Sequence, residues 1–206
     1  MKLAVFDFDS TLMDGETLEF LARETGIEKE VREITDMAMR GELDFFESLQ
    51  KRVSLLKGLE VKTVNNICEN LPVMPGAQQT IKELQNAGYK VVCFSGGFKN
   101  ATVPFAKNFG LDGEFSNILH TKNGLLTGLA GGEMMFNDSK GEMLKRLQKL
   151  LCITPEMTLA VGDGANDLSM FKYAGTKIAF CAKPILKKHA NIIIDTKDLT
   201  QILNKI

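Results

Sequence analysis

The sequence predicts an α/β fold: a doubly wound, mostly parallel sheet with a small helical bundle inserted as a cap. Three observations predict it. Short apolar runs rich in Val, Ile, Phe and Leu alternate with amphipathic helical patterns. Most of these runs lack strict polar alternation, as expected of parallel strands covered on both faces. One stretch, residues 13–73, breaks the alternation and reads as helix throughout.

The first run, residues 3–8, is a strand that ends in Asp7-Phe8-Asp9-Ser10-Thr11. The helical stretch follows, with apolar groups at Leu18, Leu21 and Ala22, then Val31, Ile34 and Ala38, then Phe45, Leu49, Val53 and Leu56, then Val64, Ile67 and Cys68. Gly26, Gly41 and Gly58 punctuate these groups, so a bundle of helices joined by short turns is expected. Its linkers are residues 12–15 and 71–76, the second carrying Pro72 and Pro75. The expected division is therefore a core of residues 1–12 and 74–206 and a cap of residues 13–73.

Ala77, Ile81, Leu84 and Ala87 recur at helical spacing and Gly88 stops that helix. Residues 90–95 form the next strand, ending in Ser95-Gly96-Gly97. Asn123-Gly124 predicts a tight turn in a hairpin over residues 118–127, which is either a flap beside the site or a plain connection. Ser139 and Glu142 have the spacing of a capping box ahead of Met143, Leu144, Leu147 and Leu151. Further strands are predicted at residues 158–162, 177–181 and 191–194.

Composition narrows the classes of function. Acidic and basic residues nearly cancel, to a formal charge of -1, which gives no general argument for nucleic acid or an anionic membrane surface. No apolar stretch approaches a membrane span, and the first residues do not read as a signal peptide. A soluble, cytoplasmic protein is expected. Cys68, Cys93, Cys152 and Cys181 sit singly in apolar segments, and His120 and His189 are far apart, so neither a zinc site nor a histidine triad is indicated. The cysteines read as small buried hydrophobes.

The chemistry lies at the strand ends. Ligands of open α/β sheets bind beyond the carboxyl edge. Asp7 and Asp9 are spaced by one residue, and alternate strand residues share a face, so both carboxylates are expected on one side. Taken alone, the pair is also an ordinary Asp/Ser/Thr turn. Ser95-Gly96-Gly97 offers a hydroxyl and accessible backbone N–H groups to a phosphate, and is equally an ordinary turn in isolation. Asp163, Asn166 and Asp167 in Gly-Asp-Gly-Ala-Asn-Asp suit a hard cation, or alternatively cap a helix. Lys140, at a helix start where a cation is mismatched to the helix dipole, makes sense beside an anion. Four segments converging on one sheet edge point to phosphoryl transfer, with Mg2+ and Lys140 offsetting the acidic cluster.

These motifs resemble those of the haloacid dehalogenase superfamily, and within it the phosphoserine phosphatase family. Asp7-Phe8-Asp9-Ser10-Thr11, Ser95-Gly96-Gly97-Phe98, Lys140, residues 161–170 and residues 177–186 (KIAFCAKPIL) carry the resemblance, which runs nearly end to end. It implies a Rossmann-like core and Mg2+-dependent hydrolysis of O-phospho-L-serine, the last step of L-serine biosynthesis. Asp7 is then the nucleophile and Asp9 the general acid and base, with Lys140 completing the catalytic set. Asp7, the Asp9 carbonyl and Asp163 would hold the metal, with Asp167 supporting it. Thr11, Ser95, Gly96, Lys140 and Asn166 would grip the phosphate.

In the cap, the resemblance implies that Glu16 meets the substrate ammonium and Arg52 its carboxylate, with Met39 and Phe45 walling off water. Without it, Glu16 reads as a first-turn helix residue, Arg52 as surface charge, and Met39 and Phe45 as core. An opening and closing cap is expected, as is the absence of the regulatory domain that some members carry before the core. A monomer is favoured, with a dimer as the alternative. The same residues also suit transfer of phosphate to another alcohol such as homoserine, or another phosphomonoester substrate. A receiver-like aspartyl-phosphate switch shares Asp, Ser or Thr, Lys and Mg2+, but Asp9 and the cap argue against it.

Overall fold

The computed structural model describes residues 1–39 and 42–206; the side chains of Asp36, Ala38 and Met39 also lie outside the description. Among the described residues the sheet has the strand order β4-β3-β2-β1-β5-β6-β7. The strands are β1 (Lys2–Asp7), β2 (Tyr89–Phe98), β3 (Gly113–Lys122), β4 (Leu125–Gly132), β5 (Thr158–Gly162), β6 (Thr176–Phe180) and β7 (Ile192–Ile194). All neighbouring pairs are parallel except β3 and β4.

The side-chain alternation of β1 shows why the sheet is covered on both faces. Ala4 and Phe6 enter one apolar cluster, with Val91, Cys93 and Val161, while Leu3 and Val5 enter the other, with Val92, Phe94 and Ala160. The chain leaves β1 toward β2 and β3 on one side and returns to β5, β6 and β7 on the other. The carboxyl end of β1 is therefore the topological switch point, where a crevice opens.

Between β1 and β2 lie α1 (Thr17–Thr25), α2 (Glu28–Met39), α3 (Phe45–Ser54), α4 (Val61–Glu69) and α5 (Ala77–Asn86). The first four form the cap; α5 packs on β2. Gly26 closes α1 at φ 70°, as expected, and the Asp44 carboxylate accepts from the Glu47 N–H to cap α3. The two linkers run side by side, with Asp14 N–H donating to the Pro72 carbonyl and Met74 N–H to that of Leu12, both at 2.9 Å. The core adds α6 (Lys99–Phe109) and α7 (Ser139–Leu151).

Several expectations need correction. The chain does not leave β1 as an extended strand: residues 8–12 make one wide turn, closed by Met13 N–H to the Phe8 carbonyl at 2.9 Å, with Ser10 in the left-handed region at φ 57°. Asp9 therefore sits in a turn, and strand alternation is not what orients it. Strand β2 continues through Ser95-Gly96-Gly97 to Phe98, with a register irregularity against β3 between Phe94 and Phe98. The hairpin is longer than residues 118–127 and forms the outer part of the main sheet; its first half, residues 113–117, gave no apolar run. No capping box forms at α7: the Ser139 hydroxyl accepts from Phe136 N–H, and Glu142 pairs with Lys145. Cys68 and Cys93 are buried, but Cys152 is exposed where it ends α7 at φ 53°. No helix among the described residues is long and apolar enough to cross a membrane.

Candidate active site

A cavity of about 630 Å³ opens between the carboxyl edge of the sheet and the cap. From the core it is lined by Asp7, Asp9, Gly96, Gly97, Asp163 and Asn166, and from the cap by Glu16, Phe45 and Arg52. Sequence-distant segments thus meet in one space, as the motifs predicted. Met39 falls outside the described residues.

Asp7 ends β1 and is almost fully buried. Its Oδ1 accepts from Phe8 N–H at 2.7 Å and from the Lys140 ammonium at 2.6 Å. Lys140 is itself buried at the start of α7 and also donates to Asp167 Oδ1 at 2.6 Å. The other oxygen of Asp167 accepts the backbone N–H groups of Asp163 and Gly164, each at 3.0 Å. Gly162 permits this approach: a Cβ there would fall 2.3 Å from Asp167 Cγ.

The electrostatics follow from burial. Burial and then the Asp167 charge push Asp7 well above the usual carboxylate range, with Lys140 opposing. Burial and Asp167 bring Asp163 up to about 6. Burial alone would lower Lys140, but Asp167 and Asp7 outweigh it and hold the ammonium above its usual value. Asp7, Asp163 and Asp167 each offer an oxygen within 4.8 Å of the others. A compact set of hard oxygen donors in which negative charge is poorly tolerated fits a divalent cation. Asp9 is not in that cluster. Its Oδ1 turns to the cap, accepting from Thr17 N–H at 2.7 Å and from the Thr17 hydroxyl at 2.6 Å. Burial raises its pKa, and the two Thr17 bonds counter the rise.

Gly96 and Gly97 present the β2 end to the cavity. A Cβ on Gly97 would stand 3.0 Å from Asp9 Oδ2, and one on Gly96 only 2.7 Å from Phe45 Cζ. Ser95 is buried and accepts from Gly97 N–H at 2.8 Å. The Thr11 hydroxyl is buried without a hydrogen-bond partner and does not line the cavity. On the cap side, the Ser10 hydroxyl donates to Glu16 Oε1 at 2.8 Å. Burial, followed by Asp9 and Asp163, pushes Glu16 up to about 8. Arg52 is half-buried and its Nε donates to the Ser48 carbonyl at 3.2 Å.

Sequence reasoning passed over four residues here. Thr17 follows Glu16 at the start of α1 and carried no signal of its own. Asn117 is fully buried and uses its whole amide: Nδ2 donates to the Gly96 and Met134 carbonyls, and Oδ1 accepts from Met134 N–H. It ties the Gly96 loop to the segment leading into α7. Asn137 and Lys183 line the cavity. An Asn in a polar strand, or a Lys before a Pro, carries no local signal of such a place.

The model of the haloacid dehalogenase-like hydrolases matches residues 1–175. This chain belongs to that family. It is 62% identical over 203 residues to the phosphoserine phosphatase of Wolinella succinogenes, covering 98% of each chain. To that of Methanocaldococcus jannaschii it is 52% identical over 205 residues, covering 100% of this chain and 97% of the other. A solved phospho-aspartyl intermediate analogue of phosphoserine phosphatase superposes with a TM-score of 0.95 at 52% identity, over 100% of this chain and 98% of that one. Membership thus narrows to the phosphoserine phosphatase family.

Proposed function

We propose that this chain hydrolyses O-phospho-L-serine to L-serine and phosphate, with Mg2+ and an aspartyl-phosphate formed on Asp7. One observation carries the reading: a single cavity joins a phosphoryl-transfer edge to a cap wall bearing one carboxylate, Glu16, and one guanidinium, Arg52. Phosphoserine presents the matching ammonium and carboxylate beside its phosphate. The relatives above bear the same activity in their names.

Hydrogen bonding supports one choice of oxygens. Asp7 Oδ1 is occupied by Lys140 and the Phe8 N–H, which leaves Oδ2 to attack phosphorus. The phosphorus–seryl oxygen bond breaks as the Asp7–phosphorus bond forms. Asp9 Oδ1 is occupied by Thr17, so the proton given to the leaving seryl oxygen sits on Oδ2, beside Gly97. Burial raises the Asp9 pKa in the direction an acid requires. In the second step Asp9 takes a proton from water, whose oxygen bonds to phosphorus and releases Asp7 and inorganic phosphate.

Lys140 holds Asp7 in place, and together with Ser95, Gly96 and Asn166 it offers donors to the phosphoryl oxygens. Asp7, Asp163 and the Asp9 carbonyl would hold Mg2+, with Asp167 bracing the Asp163 loop. When bound, the ion supplies positive charge to the phosphoryl oxygens. Phe45 closes over Gly96 to exclude water, and residues 13–73 act as the specificity cap.

The test is phosphate release from L-phosphoserine with Mg2+, beside phosphothreonine, an aryl phosphate, and homoserine as acceptor. Expected is hydrolysis of L-phosphoserine, abolished in Asp7→Asn. Arg52→Ala should raise KM for phosphoserine by about 10- to 100-fold, the worth of a charged hydrogen bond, and leave the aryl phosphate unaffected. A new phosphoester accumulating in place of phosphate would make the chain a transferase. Activity confined to other esters would remove this reading of the cap.

A further inference from the structure

The cap is fastened to the core unevenly. At one side, the segment joining α3 to α4 pairs with the hairpin: Gly58 N–H donates to the Leu126 carbonyl, Leu126 N–H to that of Leu59, and Val61 N–H to that of Gly124, each at 2.9 Å. Asn100 on α6 donates to Asn65 on α4 at 2.7 Å, and Gln50 to the Ala130 carbonyl at 3.2 Å. With the paired linkers, these bonds fix α4 and the second half of α3.

The beginning of α3 is held differently. Among the described residues, residues 43–49 make no hydrogen bond to the core. Leu49 is buried in the apolar cluster shared by core and cap, and ahead of it the segment meets the core through two neighbouring rings. Phe45 lies over Gly96. Phe46 stacks on Phe136 of the core, with ring centres 5.1 Å apart and planes 14° apart. Phe46 is 37% and Phe136 61% exposed, so the stack stands in water rather than in the apolar interior. Each ring adjoins a cavity-lining residue, Phe45 on the cap and Asn137 on the core.

We infer that the Phe46–Phe136 stack is the latch at the unfastened edge of the cap, and that both are positioning residues holding Phe45 over the Gly96 loop. An exposed aromatic pair at the mouth is weak enough to part for substrate and strong enough to bias closure by about two- to tenfold. An edge so held also explains how a cap hydrogen-bonded to the hairpin admits a ligand: the start of α3 lifts while the α4 side stays paired. Only the kinetic arm of its test rests on the phosphoserine reading.

The experiment is a double-mutant cycle of Phe46→Ala and Phe136→Ala on the full chain, with Phe46→Tyr as the conservative variant. Amide exchange is read without any ligand. Protection at the α3 start should fall about two- to tenfold in either alanine variant, no further in the double, and not at all at Gly58 and Val61. With L-phosphoserine and metal, KM should rise by a like factor while kcat stays within about twofold, and the tyrosine variant should match wild type. Unchanged exchange at the α3 start, equal loss at Gly58 and Val61, additive effects in the double, or a fall in kcat at constant KM would each overturn the latch. The exchange result stands whether or not phosphoserine is the substrate, so failure of the latch and failure of the functional reading are separable.

Discussion

Replacing Asp167 with Asn keeps the size of the side chain and removes one charge, and the surroundings leave the amide no good orientation. Oδ1 receives the Lys140 ammonium at 2.6 Å, and Oδ2 receives two backbone N–H groups at 3.0 Å. An amide has one oxygen and one NH2 group. If its oxygen faces Lys140, the Asp163 and Gly164 N–H groups face a donor and lose two bonds, each worth about 1.5–3 kcal/mol to a charged acceptor. If it faces those N–H groups, a buried ammonium loses one partner and meets N–H2, at a cost of about 3–5 kcal/mol for a broken buried pair.

Removing the charge also relieves Asp7 and Asp163, both of which Asp167 raises, so the net is smaller than either sum. We expect about 3 kcal/mol, a urea midpoint shift of about 1 M at pH 7 without metal. Asp163→Asn, at a partly buried position, serves as the control and should shift far less. A loss below about 1 kcal/mol for Asp167→Asn would refute the claim that both oxygens are committed.

Two further outcomes follow from the cap side of the cavity. Glu16, raised from its ordinary 4.5 to about 8, favours folding fully only below its unfolded value and loses that contribution as pH rises through about 8. The metal-free wild type should therefore lose stability relative to Glu16→Gln between pH 5 and pH 8, and a pH-independent difference in urea unfolding would contradict this. Thr17→Val keeps the backbone donor to Asp9 but deletes the hydroxyl, which lowers the Asp9 pKa, so the alkaline limb of the kcat profile should move upward and kcat fall about tenfold. A profile coincident with wild type would remove Thr17 from the mechanism.

The carboxyl edge was legible because short apolar runs give way to polar and glycine residues near Asp7, at Ser95-Gly96-Gly97 and at Gly162-Asp163, although β2 itself continues through its glycines to Phe98. The cap was legible because four groups at helical spacing interrupt the strands. The turn at residues 8–12 was not: its left-handed residue is Ser10, and the usual signal for that conformation is Gly or Asn. The second half of β3 was legible in the hairpin, but its first half was not, because Gly113-Glu114-Phe115-Ser116-Asn117 carries no apolar run, although Thr102, Glu114 and Ser116 satisfy one another there. Nor could Lys140 be matched to its partners. Its helix start suggested an anion nearby, but two carboxylates 2.6 Å away are a tertiary fact.

Three aspartates of the same chemical type acquire different capacities through the donors each receives. Asp167 has both oxygens engaged by three donors, so it can brace Lys140 and the Asp163 loop but has no lone oxygen with which to attack or to carry a proton outward. Asp7 has one oxygen engaged by an ammonium, which opposes the rise that burial causes, orients the carboxylate and leaves the other oxygen free to attack. Asp9 has one oxygen engaged by neutral donors only, from Thr17, so burial can raise its pKa and a proton can reside on the oxygen beside Gly97. An ammonium at the Thr17 position would favour the charged form of Asp9 and deprive it of the proton the leaving group needs. The division of labour between nucleophile and acid thus follows the donors that each carboxylate receives, and Lys140 gives its ammonium to Asp7 and Asp167 while Thr17 gives neutral donors to Asp9.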